Sequence, residues 1–543
     1  MKRKNIFTLF IIYTIGIISI LSIYSFRNAD DKPEKSNSDN LNPNQNSVIS
    51  SFKMDQNNIS TWYRNNGSFN RNPNTDNSGF EWPKGTTKFA RYVSGLWMGA
   101  QVGVDTLVAV AYYSYEFKSG YIDNNGIPQG FTDPLYRVYS IIRGDTISPD
   151  YLGWPANQGA YLNGKGRPYF LGNQTMFYSY TDGYPDSHTS SPGSTAPMKA
   201  VILQTNWSYT IEDFRDVIFT EYKIINRNTL PWNNAYIAIW TDDDLGTSSD
   251  DAVGIDTTIM MSYTYNFTNN DGIYGSPPPA VGFVVLRNPI IPSPGDTVKY
   301  YNPPGSNNLV VKPNFKESMI SSHNVFANGS STVGDPRNYK ETYNIFQGLQ
   351  RTGTSWINPN TNHTTKYAFS NGWNVTSGED WRSIMSFGPL TMNPGDTQSI
   401  IVAQVIAKGT SNINSITRIR NLSVFLQEVY NNNFQNLVGV NNISSEIPNG
   451  FSLSQNYPNP FNPITHLEFR ISKPGFVSLK VYDVLGNEVK TLVNENKPAG
   501  NYKVEFDGSG LSSGIYFYQL VVSSSNQLTA EGFSDTKRMI LVK

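Results

Sequence analysis

The sequence predicts a mainly β protein, with one large or two merged β-sandwiches followed by a small C-terminal β-sandwich. Three observations predict it. The composition, with Gly 43, Pro 32, 13% aromatic and only 16% charged residues, suits a turn-rich chain of strands. Short apolar runs recur between Gly-Asp-Thr and Gly-Pro turns, as strands joined by tight connections do. A single segment repeats its apolar residues with a convincing helical period.

At the start, Met1–Lys4 is basic and Ile6–Phe26 is apolar with scattered Thr, Tyr and Ser. Residues 1–29 therefore read as a Sec signal peptide or an N-terminal anchor, and export follows either way. Residues 30–50, rich in Asn, Asp, Ser, Lys and Pro and almost free of apolar side chains, read as a disordered spacer. The chain has no Cys, which excludes a lipoprotein anchor, disulfides and cysteine-dependent catalysis.

Residues 51–440 form the cargo region. Strands are predicted over Leu107–Phe117, Asp216–Asn226, Ala235–Thr241, Val281–Leu286, Thr297–Tyr301 and Gln398–Ala407. The turn Pro294-Gly295-Asp296-Thr297 recurs as Pro394-Gly395-Asp396-Thr397 at a second hairpin-like position. The helical segment is 412–434, where Ile413, Ile416, Ile419, Leu422, Val429 and Tyr430 recur at three- and four-residue spacing, making a stripe that packs against the last cargo sheet. Residues 441–450 read as a linker with exposed backbone.

The tail, 451–543, opens with Asn456-Tyr457-Pro458-Asn459-Pro460-Phe461-Asn462-Pro463. Leu467, Phe469 and Ile471 alternate with polar residues, as do Val477, Leu479 and Val481, then Tyr502, Val504 and Phe506. A turn at Val484–Asn487 uses Gly486 for positive φ, and Asp507–Gly514 makes a Gly/Ser turn. Evenly spaced short strands of this kind favour an antiparallel sandwich of immunoglobulin-like type.

Four blocks in order, Asn456 to Phe461, Val481-Tyr482-Asp483-Val484-Leu485-Gly486, Pro498-Ala499-Gly500-Asn501-Tyr502 and Ser513-Gly514-Ile515-Tyr516-Phe517, resemble the type A sorting domain of type IX secretion cargo. The resemblance covers 451–543 alone. It implies passage through the periplasm, an outer-membrane translocon that reads the folded tail, and a sortase that removes it and attaches some cargo to surface lipopolysaccharide. The expected location is secreted or on the outer-membrane surface. Pro458, Asn459, Pro460, Gly486, Gly500, Gly514, Tyr516 and Lys543 are the sorting-signal residues this resemblance marks.

For chemistry, the densest acidic stretch is Trp240-Thr241-Asp242-Asp243-Asp244-Leu245-Gly246, followed by Asp250, Asp251 and Asp256. Hard Ca²⁺ takes six to eight oxygens, and alternating Asp with a turn-forming Gly is one way a loop supplies them. Asp242, Asp244, Asp250, Asp251 and Asp256 are the candidate Ca²⁺ ligands, set against a plain solvated acidic loop, since the EF-hand spacing and its closing Glu are absent. Pairs among the same Asp residues also match the acid and base of a glycosidase. Trp62, Trp82, Trp97, Trp154, Trp207, Trp232, Trp356, Trp373 and Trp381 supply either sugar-stacking platforms or sandwich core.

Other motifs fall away. Gly510-Leu511-Ser512-Ser513-Gly514 fits G-x-S-x-G but has no helix after it. The four imidazoles, His188, His323, His363 and His466, lack zinc-protease spacing and read mostly as surface residues. With Lys+Arg 42 against Asp+Glu 43, no basic stripe recruits nucleic acid. Two function classes remain. The first is a non-enzymatic surface or secreted β-protein, structural, adhesive or binding extracellular glycan, and stiffened by Ca²⁺. The alternative is a secreted carbohydrate-active hydrolase using paired Asp residues.

Overall fold

Strands Val93–Val102, Trp232–Asp242 and Trp381–Met392 run side by side at the centre of an eight-stranded antiparallel sheet. In this computed structural model the described residues are 49–331, 333–370, 374–434, 440–444, 450–473, 475–497, 499–524 and 532–543. The expected signal segment, nearly all of the 30–50 spacer, and Trp373 lie outside them. From one edge, the first sheet runs Ser51–Met54, Thr61–Arg64, Ser68–Phe69, the three central strands and Ile320–Ala327, with Asp105–Val110 paired to Val93–Val102.

A second, nine-stranded antiparallel sheet faces it. Its order is Tyr139–Ile142, Gln174–Thr181, Ala200–Ser208, Val217–Asn226, Thr397–Lys408, Pro279–Arg287, Met261–Asn266 and Asp251–Asp256, with Lys118–Ser119 beside Gln174–Thr181. Alternate residues of the two sheets meet in one core. Leu96, Met98, Ile237, Ile239, Met385 and Phe387 come from the first sheet, and Met176, Ile202, Tyr222, Phe283, Ile400 and Val402 from the second. The cargo is thus one large sandwich.

Both sheets are also covered on their outer faces. On the first, Trp97, Ala238, Trp240 and Ile384 pack under the helix Tyr339–Phe346 through Tyr343, Ile345 and Phe346. On the second, Phe219, Val284, Ala403 and Val405 pack with Ile416, Ile419, Leu426 and Val429 of the helix Asn412–Asn431. Strands buried on both faces read as continuous apolar runs, which is why Val217–Asn226 and Thr397–Lys408 do not alternate. The helix starts at an N-cap, Ser411, whose hydroxyl accepts from the Asn414 amide. Its stripe differs from expectation in one member. Ile413 is exposed, and the buried face instead includes Ser415 and Ser423, whose hydroxyls donate to Pro278 and Ile419 carbonyls.

The tail is a separate sandwich of two four-stranded antiparallel sheets. One pairs Val440–Ser444, Gly500–Asp507, Ile464–Ile471 and Ser452–Leu453, and the other Glu488–Lys497, Gly475–Tyr482, Gly514–Ser524 and Phe533–Leu541. Its core, including Leu467, Phe469, Leu479, Val481, Phe506, Tyr518 and Leu520, contains tail residues alone. The linker expected at 441–450 is corrected in part, because Val440–Ser444 is a strand whose backbone pairs with Gly500–Asp507.

Candidate functional site

The proline-rich opening of the tail acts as a clasp between its two sheets. Asn456 donates through Nδ2 to the Pro458 carbonyl (3.0 Å) and to Thr465 Oγ1 (3.0 Å), and its amide donates to the Tyr518 hydroxyl (2.7 Å). Phe461 is buried in the core, its amide bonded to Ile540 and its carbonyl to the Val542 amide. Asn459 Oδ1 accepts from the Ile540 amide (2.9 Å), so Pro458, Asn459 and Pro460 sit where the last strand is tied down. Two prolines suit this clasp because they remove donors that an edge position cannot satisfy.

The other sorting-signal residues lie apart from it. Gly486 takes φ +84 in the turn between two strands, with Asp483 accepting from the Leu485 and Asn487 amides. Leu485 at this tip is 83% exposed. Gly500 opens its strand. Tyr516 donates its hydroxyl to the Ser512 carbonyl (2.9 Å), and Lys543 is held by Ser513 Oγ and the Ser509 carbonyl. Gly514 does not need positive φ, and a Cβ there would meet its nearest atoms only at 4.0 Å, so the tight-turn role expected of it is corrected.

In the cargo, the five candidate Ca²⁺ ligands do not share one shell. Asp242 ends the central strand Trp232–Asp242, directly across from Arg382 in the neighbouring strand. It accepts from the Tyr113 hydroxyl (2.6 Å), and Arg382 Nε lies 3.5 Å from its other oxygen. Asp244 follows on the turn made by Gly246, whose φ is +75 and whose Cβ would strike the Asp271 carboxylate. Asp380, which precedes the strand Trp381–Met392, brings the third carboxylate, and one oxygen from each of Asp242, Asp244 and Asp380 falls within 4.8 Å of the others. Arg382 also lies 3.4 Å from Asp335 and 3.6 Å from Asp380. Burial, opposed by Arg382 and reinforced by Asp244 and Asp380, pushes the Asp242 carboxyl up to about 7.

The other three candidates serve local structure. Asp250 accepts from Asn266 Nδ2 (2.8 Å), Asp251 accepts from the Leu245 amide (3.1 Å), and Asp256 pairs with Arg420 of the long helix (2.7 Å). Burial raises Asp250 and lifts Asp251 far above the usual carboxylate range. Asp243, between the two arms of the cluster, is spent on Arg91 (2.8 Å) and on the hydroxyls of Thr241 and Thr264. Sequence reasoning missed Asp380, Asp335, Tyr113 and Arg382. The one local signal was the acidic pair Glu379-Asp380 placed just ahead of a strand.

Core packing takes most of the tryptophans. Among the described residues, Trp82, Trp97, Trp154, Trp207, Trp232, Trp240, Trp356 and Trp381 are buried, and Trp62 is half-buried, under Lys53. An open hollow of about 500 Å³ lies between edge strands, lined by Phe52, Ile142, Asp145, Ser148 and Asp150 among others. Its carboxylates are occupied, Asp150 with Arg137 and the Ser140 amide, and Asp145 with the Ile147 and Ser148 amides. His188 and His323 are buried rather than on the surface.

The family profile of the secretion system C-terminal sorting domain matches residues 455–531. The tail of this chain is a type IX secretion sorting domain. The match begins at the clasp and runs through the strands from Ile464–Ile471 to Gly514–Ser524, the part whose blocks carried the resemblance. No curated protein matches this cargo. Among solved structures, it is similar to a polysaccharide lyase at 9% identity (82% of this chain, 46% of that one, TM-score 0.20). It is also similar to dimeric latent PorU from Porphyromonas gingivalis at 11% identity (76% and 34%, TM-score 0.15). The cargo thus spans less than half the length of these structures, and similarity at this level carries no argument about activity. Its sorting domain implies export to a secreted or cell-surface location and contact with the secretion machinery.

Proposed function

We propose that the chain is a structural or adhesive β-scaffold, delivered across the outer membrane through the type IX translocon by a type A sorting domain and held at the surface or released. A sortase acts on the segment between helix and tail, and lipopolysaccharide is the anchor for any retained fraction. The observation that carries the export half is the match at 455–531 on a sandwich with its own core. The non-catalytic half is supported by where the chemistry-bearing residues go. Eight tryptophans fill core, and Asp242 and Asp243 face the buried Arg382 and Arg91 rather than an open groove. Any extracellular glycan partner is bound through the sandwich surface without bond cleavage.

The test uses the full chain in a type IX-competent host. Removing 451–543 is expected to leave the cargo in the periplasm, whereas the intact chain is recovered outside. The secreted protein, incubated with a panel of bacterial and plant polysaccharides, is expected to release no reducing ends and no unsaturated products. Product release abolished by substituting a carboxylate would replace the scaffold reading with the hydrolase.

A further inference from the structure

We propose that one end of the tail sandwich, built around the turn that carries Val484 and Leu485, is the face by which the tail docks on a protein of the secretion machinery. The inference rests on the export reading and names the contact surface which that reading leaves open.

The strand registers gather distant segments at this end. Tyr482 pairs with both Glu488 and Phe517, so the 483–487 turn stands beside the start of Gly514–Ser524. That start pairs with the end of the last strand, Gly514 with Leu541 and Ile515 with Ile540. In the other sheet Ile464 pairs with Asp507, and the Gly508 amide donates to the Pro463 carbonyl. Lys543 ties these segments together, its amide donating to Ser513 Oγ and its ammonium to the Ser509 carbonyl. Five large apolar side chains are exposed here: Ile464, Val484, Leu485, Ile515 and Val542. Val484 and Leu485 stand out furthest, at 64% and 83% exposure, and neither belongs to the tail core. Exposed apolar groups gathered from several segments mark an interaction surface, whereas scattered single ones do not.

The turn is fixed although its two apolar side chains add nothing to the core. Asp483 accepts from the Leu485 and Asn487 amides and from Asn487 Nδ2 (2.9 Å), and its own amide donates to the Asn487 carbonyl (3.0 Å). Lys480 pairs with Glu488 at the base of the turn (2.8 Å). Apolar anchors on a preorganised turn lose little freedom on docking, so more of their burial appears as affinity. The occupant is a protein rather than a lipid surface, because the rim carries both signs of charge. Asp483, Glu488 and Asp507 stand with Lys480, Lys490 and Lys543, a polar rim of the protein–protein kind, whereas an anionic bilayer draws clusters of Lys and Arg. The match to the secretion sorting domain includes Val484, Leu485 and Ile515, and contact with the secretion machinery follows from that match.

The experiment expresses the full chain in a type IX-competent host in three forms: unsubstituted, with Val484→Ser and Leu485→Ser together, and with Phe476→Ser, an exposed residue at the opposite end of the same sheet. The fraction outside the cells is measured, and retained protein is tested for protease resistance of its tail. The double variant is expected to stay in the periplasm with a folded tail, its export down at least about tenfold as two apolar anchors are lost. Phe476→Ser is expected to export like the unsubstituted chain. Should the double variant misfold, crosslinking decides: a benzophenone side chain in place of Leu485 is expected to join a translocon subunit, and one in place of Phe476 is not. An unsubstituted chain held in the periplasm would overturn the export reading and this inference with it. Export of the folded double variant at the unsubstituted level, an equal loss in Phe476→Ser, or a position 485 that crosslinks to lipid or to no translocon subunit would overturn the docking face and leave the export reading standing.

Discussion

Arg91 lies wholly inside the sandwich, 2.8 Å from Asp243 and 4.1 Å from the centre of the Phe283 ring. Removing it strands the Asp243 carboxylate in the core, which typically costs about 3–5 kcal/mol. Arg91→Ala is expected to lose that much in urea denaturation, and Arg91→Met combined with Asp243→Leu to regain most of it. Equal losses in the single and the double variant would contradict the pairing. His323 is a second buried group, its Nδ1 2.8 Å from the Ala368 carbonyl, and burial lowers it to about 4. The unfolded chain binds this proton near 6.5 and the folded one only near 4, so stability is full above about 6.5 and falls as pH drops towards 4, by about 3 kcal/mol in all. His323→Gln should flatten that limb of a stability-versus-pH profile. An unchanged acid limb would mean that other groups carry it. Neither position could be read from its neighbours in sequence. The partner of Arg91 lies 152 residues away, and the cover over His323 comes from residue 368.

Among elements, those whose burial pattern matches their own period were the legible ones. Leu467, Phe469 and Ile471 alternate because their strand has one buried face, and that alternation is visible in the residues. The long helix was visible for the same reason, although Ile413 faces solvent, because spacing cannot tell a stripe's edge from its centre. Strands such as Val93–Val102, covered on both sides, have no period to detect, and the helix Tyr339–Phe346 that covers them is only two turns long. Leu426 lies at the centre of the long helix's buried face. Leu426→Ala should destabilise by about 2–5 kcal/mol by leaving a cavity under the second sheet, measured by thermal or urea unfolding. In the tail, Gly486→Val should cost about 1–3 kcal/mol for placing a branched residue at positive φ, whereas Gly514→Val should leave folding nearly unchanged. A similar loss at both glycines would contradict this account of the turns.

At the scale of the whole molecule, the chain divides its hydrophobic interior between a cargo sandwich and a tail whose core is drawn from tail residues alone. The destination was the most legible property, since the four blocks of the tail persist as contiguous stretches of sequence. The cargo's role was least legible, because the carboxylates of Asp242, Asp244 and Asp380 meet from two distant segments, and such convergence exists only after folding. The central claim is that the folded tail alone carries the export information. The most direct measurement fuses residues 451–543 to a Sec-exported monomeric reporter and follows it in type IX-competent cells and in cells lacking the translocon. The account predicts reporter outside the first and confined to the periplasm of the second. Reporter held in the periplasm of both, with the fused tail folded, would contradict it.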